Sequence, residues 1–189
     1  MKVIHTESSL GWGGQEIRVV QEASGIRKRF PEIDVELVCA PGSQFVERMA
    51  LDVPIILTDI SRKSFRCLFN LFRVFKDQEP DLVVTHSSTD SWLTVVARLF
   101  VRKKFQIIRI RHVSAPISRN LLTRILYHQA AMVVTTSVSI SEEVVAKTHL
   151  PSHRVVCVPT GVDTREFTFA SYHDGSMGKD VIRCRVALM

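Results

Sequence analysis

Short apolar runs alternate with amphipathic segments along most of the chain, and this alternation restricts the fold more than any other feature. Runs rich in Val, Ile and Leu, typical of strands, lie at 3–6, 35–40, 53–58, 81–86, 105–110, 131–137 and 154–159. Segments with helical spacing lie at 15–30, 43–50, 64–78, 89–101, 118–130 and 139–148. Because the apolar runs lack polar alternation, both faces of their sheet should be covered. The pattern predicts a doubly wound α/β domain with a mostly parallel sheet and helices on both faces.

This architecture also predicts where ligands bind. Right-handed crossovers place the loops that follow the strands at one edge of a parallel sheet, and ligands bind at that edge. The residues that end each strand are therefore the candidates for a functional site.

Composition and charge narrow the class of partner. The chain has 189 residues, of which 46% are hydrophobic, and a net charge of +6. No acidic residue lies between Asp90 and Glu142, whereas that stretch carries eight Lys and Arg residues. Phosphate-bearing ligands and an anionic membrane are the expected partners, with a merely solvated basic face as the alternative. Nucleic acid is disfavoured, since the basic stretch lacks interleaved aromatic residues and a known motif.

The sequence predicts a cytoplasmic protein, with peripheral contact at the inner face of a membrane left open. No apolar run approaches the roughly 18–20 residues of a membrane span, and no long apolar region follows the N-terminal Lys2. The four cysteines are widely scattered, which is typical of reduced thiols in a chain of this length.

The loop after the first strand contains glycines and opens directly onto a helix. Gly13 and Gly14 would let a ligand approach the backbone at the positive end of that helix. The spacing matches neither the dinucleotide fingerprint nor a Walker A loop. Gln15 and Glu16 are candidate ligand contacts or first-turn residues that satisfy backbone donors. The alternative for the whole loop is a tight turn needed for close strand–helix packing.

Polar residues also end the fourth and sixth strands. His86, Ser87 and Asp90 belong to a dense run of hydrogen-bonding groups, which is either part of a ligand site or the cap of the next helix. Thr136 and Ser137 offer hydroxyl groups after the sixth strand, with the same two interpretations.

The fifth strand ends in two arginines and a histidine. Alternation along a strand sends Arg109 and Arg111 to one face and His112 to the other face or into the loop. Arginine suits a diphosphate, and histidine can donate or accept a hydrogen bond near neutral pH. No metal-ligand spacing occurs, and neither a metal nor another cofactor is expected. The absence of a GxSxG motif disfavours a serine hydrolase.

The helix at 64–78 is unusually rich in phenylalanine. Its helical spacing predicts a core-facing stripe of Phe65, Leu68, Phe69, Phe72 and Phe75. The alternative is an interfacial membrane contact, because Arg62, Lys63 and Lys76 lie nearby and the apolar arc is wide.

An ordered set of loop motifs resembles the N-terminal, acceptor-side domain of a GT-B fold glycosyltransferase, of the family 4 type. The motifs are GWGGQE with EASGIRKRF, CAPGS, THSSTDSW, RIRHVS, VTTSVSISEEV and VPTGVDTREF. The resemblance covers residues 1–167 and implies a Rossmann-like domain, whereas the tail at 168–189 departs from the family pattern.

The resemblance implies a division of labour across a cleft between two domains. The N-terminal domain would hold a glycan or lipid-linked acceptor, and a C-terminal domain would hold the nucleotide-sugar donor, without a metal. By position, His112 resembles the cleft histidine that contacts the transferred sugar, and Arg111 would lie near the diphosphate. Gly13 and Gly14 would face the donor phosphates or the acceptor, and Trp12 would be a lid or stacking surface. The HSSTDSW loop would line the acceptor side.

The resemblance further implies hexosyl transfer in the synthesis of cell-envelope polysaccharide or lipopolysaccharide. Because the sequence has no donor domain, the chain is expected to be a truncated half-enzyme that is inactive alone. A non-catalytic module for an anionic glycan or membrane surface, and an enzyme like a sugar-nucleotide epimerase, remain as alternatives.

Overall fold

A computed structural model describes residues 1–45, 52–112 and 116–161, and it contains a seven-stranded parallel sheet. The strands are β1 (Lys2–Glu7), β2 (Asp34–Cys39), β3 (Ile55–Leu57), β4 (Leu82–Thr85), β5 (Gln106–Arg111), β6 (Met132–Thr135) and β7 (Val155–Cys157). Each lies within one of the predicted apolar runs or differs from it by one residue at an end. The doubly wound α/β fold is therefore confirmed.

Helices connect most of the strands. They are α1 (Gly14–Arg29), α2 (Phe65–Gln78), α3 (Ser88–Phe100), α4 (Leu121–Gln129) and α5 (Val138–Thr148), with a short 3-10 helix at Ser152–Arg154. The helix predicted at 43–50 falls largely on residues outside the described part of the chain.

The strand order is β3-β2-β1-β4-β5-β6-β7, and every neighbouring pair is parallel. The order reverses direction at β1, which lies between β2 and β4. Reversal points of this kind leave a crevice beyond the carboxyl ends of the strands, because the flanking connections turn to opposite sides. The candidate site lies at the carboxyl ends of β1, β4 and β5.

Two hydrophobic clusters pack on opposite faces of the sheet. Neighbouring strand residues divide between them: Ile4 belongs to one cluster and Val3 to the other. Helix α1 covers the Val3 face through Val19, whereas α2 and the helices after it cover the Ile4 face, for example through Leu71. This alternation follows from the period of two along a strand and explains why the runs are continuously apolar.

The predicted core stripe of α2 is wrong in part. The residues of α2 that are fully buried are Cys67, Leu71 and Phe75, whereas Phe65 is 92% exposed and Phe69 is 58% exposed. Ser64 caps the helix by accepting a hydrogen bond from the backbone N–H of Cys67, which fixes where the helix begins. The outer face of α2 therefore presents two phenylalanine side chains to solvent.

Residues Met1–Pro159 form one compact unit, which contains all of the strands and helices above. The predicted domain boundary at 167 and the tail at 168–189 lie outside the described residues and stay predictions. In the described part of the chain, none of the helices combines the length and apolar character that a membrane crossing requires.

Candidate functional site

A cleft of about 330 Å³ opens beside the carboxyl ends of β4 and β5. Its volume is within the range of small-molecule sites. The predicted site residues that line it are Gln15, His86, Ser87, Arg111 and His112. The structure thus brings together residues from three of the predicted loops, which lie far apart in the sequence.

Three histidines form a chain that leads from the sheet interior to this cleft. His5 Nδ1 lies 3.0 Å from His86 Nε2, and His86 Nδ1 lies 3.0 Å from His112 Nε2. His5 is on β1, His86 follows β4 and His112 follows β5, so adjacent parallel strands supply all three rings. His5 and His86 are buried, and His112 is half-buried.

The three imidazoles are held in their neutral form. Burial lowers the pKa of His5 to about 4 and that of His112 to about 4, the latter with help from the Arg18 cation. Burial also lowers the pKa of His86 well below its usual value, and the neighbouring histidines and Arg18 add to the effect. At neutral pH each ring therefore carries one N–H and one bare nitrogen.

Ser87 and Asp90 form the capping box of α3. The Ser87 hydroxyl accepts hydrogen bonds from the backbone N–H groups of Thr89 and Asp90, and the Asp90 carboxylate accepts one from the backbone N–H of Ser87. Asp90 also accepts from the Thr6 hydroxyl and the His86 backbone N–H. Burial raises the pKa of Asp90 to about 6. Capping therefore accounts for more of this polar run than the sequence indicated.

A buried carboxyl group lies beneath the glycine loop. Glu7 accepts hydrogen bonds from the Ser9 backbone N–H at 2.9 Å and from Gln15 Nε2 at 2.6 Å. Burial, with the nearby Asp90 charge, raises the pKa of Glu7 to about 8, so the group is mostly protonated at neutral pH. Glu7 thereby positions Gln15 at the cleft.

Arg109 and Arg111 both contact Tyr127 of α4, as their shared strand face predicts. The Arg109 guanidinium lies 4.3 Å from the Tyr127 ring centroid, and Arg111 Nη1 donates to the Tyr127 hydroxyl at 3.2 Å. Arg109 is buried, and burial lowers its pKa. The tyrosine thus holds two positive groups on one wall of the cleft.

The glycine loop is not required by packing within the described residues. A Cβ built on Gly14 would meet no described atom within 4 Å, and one built on Gly13 would approach only Glu16, at 3.4 Å. Among the α-helices described, α1 alone lacks a side-chain cap at its N-terminus. The tight-packing interpretation of this loop therefore has no support here.

The remaining predicted residues lie around the cleft or behind it. Glu16 is buried in the first turn of α1. The Thr136 hydroxyl donates to the His112 carbonyl oxygen at 3.3 Å, and Ser137 caps α5. Trp12 meets Phe45 edge-on, with ring centroids 5.9 Å apart, and packs against the core cluster on the Val3 face.

Several residues of the site were not predicted. Tyr127 lies within a helical apolar pattern and gives no sequence signal of a polar role. Arg18 is buried, donates to Glu22 at 2.6 Å and to the Val158 carbonyl oxygen at 3.1 Å, and its charge acts on His86 and His112. Trp92, in contrast, is the last residue of the HSSTDSW loop that the resemblance assigned to the acceptor side, and it lines the cleft.

One group of described residues offers metal-ligand atoms: His5, Glu22 and His86, within 4.8 Å of one another. Both ring nitrogens of His86 are already hydrogen-bonded, and Glu22 is paired with Arg18. A cation there would displace the contact between His5 and His86 and would lie near the Arg18 guanidinium. These residues are therefore poorly arranged for a metal.

Comparison with known proteins identifies the family. The model of Glycosyltransferase Family 4 matches residues 12–166. The chain belongs to glycosyltransferase family 4. The match includes the cleft and its glycine loop, whereas no curated protein matches the chain in sequence.

Solved structures similar to this family 4 chain share its fold. The lipopolysaccharide outer core galactosyltransferase WaaB is 18% identical, with a TM-score of 0.68, and the match covers 86% of this chain and 46% of that one. A glycosyltransferase from Rickettsia africae gives 15% identity, a TM-score of 0.67 and coverages of 87% and 44%. A UDP-N-acetylglucosamine 2-epimerase from Rickettsia bellii is 16% identical, with a TM-score of 0.62. The match covers 85% of this chain and 45% of that one. The chain thus spans less than half the length of each of these structures.

Proposed function

We propose that this chain is the acceptor-binding half of a nucleotide-sugar-dependent glycosyltransferase. The observation that carries the proposal is the cleft at the carboxyl ends of β4 and β5, where His112, Arg111, Gln15 and Ser87 converge. The cleft lies in the chain segment that matches the family. It offers hydrogen-bonding groups and positive charge, which suit a sugar that carries phosphate.

In the proposed reaction a second domain brings a nucleotide sugar to this edge. The bond between the anomeric carbon and the diphosphate oxygen breaks and a bond from that carbon to the acceptor oxygen forms. The proton of the acceptor hydroxyl passes to the departing phosphate oxygen, and the nucleoside diphosphate leaves. His112 contacts both the transferred sugar and the acceptor sugar beside it as a neutral hydrogen-bonding group, and Arg111 stabilises the departing phosphate charge. Gly13 and Gly14 leave room at the uncapped end of α1 for the incoming phosphates. Neither a metal nor another cofactor is part of the proposal.

A lipid-linked acceptor fits the surroundings of the cleft. Trp92 lines the cleft, and Lys63 Nζ lies 5.7 Å from the centroid of its ring. Lys63 lies just before α2, so the Trp92–Lys63 contact joins the cleft to the exposed phenylalanines of that helix. The similar structure WaaB acts, by its name, on the lipopolysaccharide outer core. We therefore propose an acceptor of the cell envelope whose lipid part lies against α2 while its sugar enters the cleft.

The outer face of α2 is proposed to contact an anionic membrane. Phe65 and Phe69 are exposed, and Arg62, Lys63 and Arg66 are exposed beside them. These cations lie at the positive end of the helix dipole, where they repel it. Anionic headgroups would relieve that repulsion while the phenylalanine rings enter the interface.

Calorimetric titration of the chain with lipopolysaccharide core oligosaccharides and with neutral glucans tests the acceptor site. A core oligosaccharide should bind, and His112→Ala should weaken binding roughly tenfold, the effect of one lost hydrogen bond. His153→Ala is the matched control, because His153 is exposed on the 3-10 helix away from the cleft. Absence of binding to any glycan, or equal binding by His112→Ala and the wild type, would contradict the proposal.

Sedimentation with phosphatidylglycerol and phosphatidylcholine vesicles tests the membrane contact. The chain should sediment with the phosphatidylglycerol vesicles and not with the phosphatidylcholine vesicles, and raising the salt concentration should release it. Phe65→Ser with Phe69→Ser should abolish sedimentation, whereas Phe30→Ser should not, since Phe30 is an exposed phenylalanine at the end of α1. Salt-insensitive binding, or equal loss in the control, would refute the assignment.

An epimerase function is the second candidate, because a 2-epimerase shares the fold. Such an enzyme would interconvert two nucleotide sugars without a glycan acceptor. Binding of UDP-N-acetylglucosamine that no core oligosaccharide competes with would favour this function over the proposed one.

A further inference from the structure

The geometry of the three histidines restricts where their protons lie. The His5 and His86 ring centroids are 5.3 Å apart and the ring planes differ by 16°; for His86 and His112 the values are 5.3 Å and 27°. A centroid separation of 5.3 Å is about the largest that a nitrogen–nitrogen distance of 3.0 Å permits. Each pair of nitrogens therefore lies near the line between the centroids, and the rings meet edge to edge, as an N–H···N hydrogen bond requires.

Neutral rings in such a chain have two possible arrangements. In one, each Nδ1–H donates outward, from His5 to His86 and from His86 to His112. In the other, each Nε2–H donates inward. The two arrangements differ at the ends of the chain: the inward one leaves an N–H on His5 Nε2, and the outward one leaves an N–H on His112 Nδ1.

The buried end of the chain favours the outward arrangement. His5 Nε2 is buried and has no hydrogen-bond partner among the described residues. A buried N–H without an acceptor is rare in folded proteins and costly, so His5 Nε2 is better left without its proton. The Glu22 carboxylate of α1 lies within 4.8 Å of His5 but is engaged by Arg18 at 2.6 Å.

We propose that His5 and His86 are positioning residues that hold His112 in one ring orientation and in its Nδ1–H tautomer. His112 Nε2 is occupied by His86, so Nδ1–H is the only ring donor that His112 has for a ligand. The inference deepens the proposed function, on which it rests: it makes His112 a hydrogen-bond donor, which selects an acceptor oxygen such as a sugar hydroxyl or a phosphate oxygen.

Long-range proton–nitrogen NMR spectra of the ¹⁵N-labelled full chain at neutral pH test the arrangement directly. All three Nδ1 atoms should be protonated and all three Nε2 atoms bare, with a scalar coupling across each N–H···N contact. Protonation of the three Nε2 atoms, or absence of both couplings, would overturn the proposal. The spectra should not change on addition of EDTA; a change would show that a metal joins the rings instead.

Two variants at His86 separate positioning from general support of the fold. His86→Asn keeps an N–H close to the former Nδ1 position, so His112 should stay in its Nδ1–H tautomer. His86→Leu removes the donor, so His112 should become a mixture of tautomers. Equal behaviour of the two variants, each checked for native backbone amide shifts, would overturn the positioning role; if His86→Leu does not fold, loss of the tautomer in His86→Asn alone contradicts it.

Ligand binding is not needed for either measurement, so the two proposals fail separately. A chain that shows the predicted protonation pattern and binds no glycan would contradict the proposed function alone. A chain that binds core oligosaccharide through an Nε2-protonated His112 would contradict the histidine arrangement alone.

Discussion

The carboxyl edge of the sheet and the outer face of α2 depart from ordinary burial in opposite ways. At the edge, polar groups are buried: His5, His86, Glu7, Asp90 and Arg109 are all nearly inaccessible to solvent. On α2, apolar rings are exposed, and Phe65 is almost wholly in solvent. Buried polar groups lose their hydration, which costs stability, and an exposed ring forgoes the stabilisation that its burial would give.

The difference shows what each region is suited to bind. The edge compensates its polar burial with internal hydrogen bonds that leave His112 and Gln15 fixed at the cleft, which suits a specific small ligand. The α2 face has no described partner for Phe65 and carries positive charge beside it, which suits a surface rather than a pocket. Four predictions test this contrast.

Substitutions on the inner and outer faces of α2 should differ most in their effect on the free energy of unfolding. Phe75→Ala should lower the free energy of unfolding by about 3–5 kcal/mol, because Phe75 packs on Phe105 in the core. Phe65→Ala removes the same atoms from solvent and serves as the matched control. Urea unfolding followed by circular dichroism measures both, and similar losses in the two variants would show that the two faces have been assigned wrongly.

The buried carboxyl group at the edge should make stability depend on pH. The pKa of Glu7 is raised to about 8 from 4.5, so the folded state retains a proton that the unfolded state releases. The stabilisation of the fold by this retained proton is complete below pH 4.5 and is lost as the pH rises to 8. Glu7→Gln stays neutral, so its stability relative to wild type should rise by on the order of 3 kcal/mol between about pH 5 and pH 8.

Denaturant unfolding of both proteins across this pH range measures that difference. The amide introduced by Glu7→Gln retains the hydrogen bond from Ser9 through its carbonyl oxygen and can donate to Gln15 after the Gln15 amide rotates. Asp90 and the three histidines titrate in both proteins, so most of their effect cancels in the comparison. A difference that does not change with pH would show that Glu7 is ionised in the folded state.

A substitution in the glycine loop should stabilise the protein and weaken ligand binding. Gly14→Ala should raise the free energy of unfolding by about 0.4–1 kcal/mol, because Gly14 is in a helical turn with open space around its Cα. The same methyl group should weaken binding of a phosphate-bearing ligand at the end of α1. Gly25→Ala, within α1 and equally open, is the control that should stabilise without affecting binding. Unchanged affinity in Gly14→Ala would remove this loop from the site.

Replacing the exposed ring of Phe65 should have the smallest effect on stability. Phe65→Ser should change the free energy of unfolding by less than about 0.5 kcal/mol, since the side chain is 92% exposed. Thermal unfolding by differential scanning fluorimetry checks this. A marked fall in the melting temperature would mean that Phe65 packs in the folded protein and is not available to a membrane.

Much of the fold follows from the sequence because continuous apolar runs are a strong local signal. The strands lie where the runs do, and parallel pairing places the ends of β4 and β5 at one edge, which is why His86 and His112 could be predicted to lie near a site. His5 could not, because its role depends on β1 lying next to β4, and the sheet order is not encoded in any local pattern.

The face of α2 that packs on the core is a second feature that the sequence does not determine. Along α2, a stripe through Phe65 and Phe69 and a stripe through Cys67 and Leu71 both satisfy helical spacing, and the bulkier residues suggested the wrong one. Tyr127 was missed for a related reason, since its ring belongs to the core while its hydroxyl belongs to the cleft. Amphipathic side chains of this kind give no separate polar signal.

Backbone amide shift mapping can show whether the carboxyl edge binds a glycan while α2 binds a membrane. ¹⁵N-labelled chain is titrated in turn with a lipopolysaccharide core oligosaccharide and with phosphatidylglycerol vesicles. The oligosaccharide should shift the amides of Gln15, Ser87, Arg111 and His112, and the vesicles should broaden those of α2 around Phe65. If the oligosaccharide leaves the edge amides unmoved, or shifts only those of α2, the assignment of the carboxyl edge as the acceptor site is contradicted.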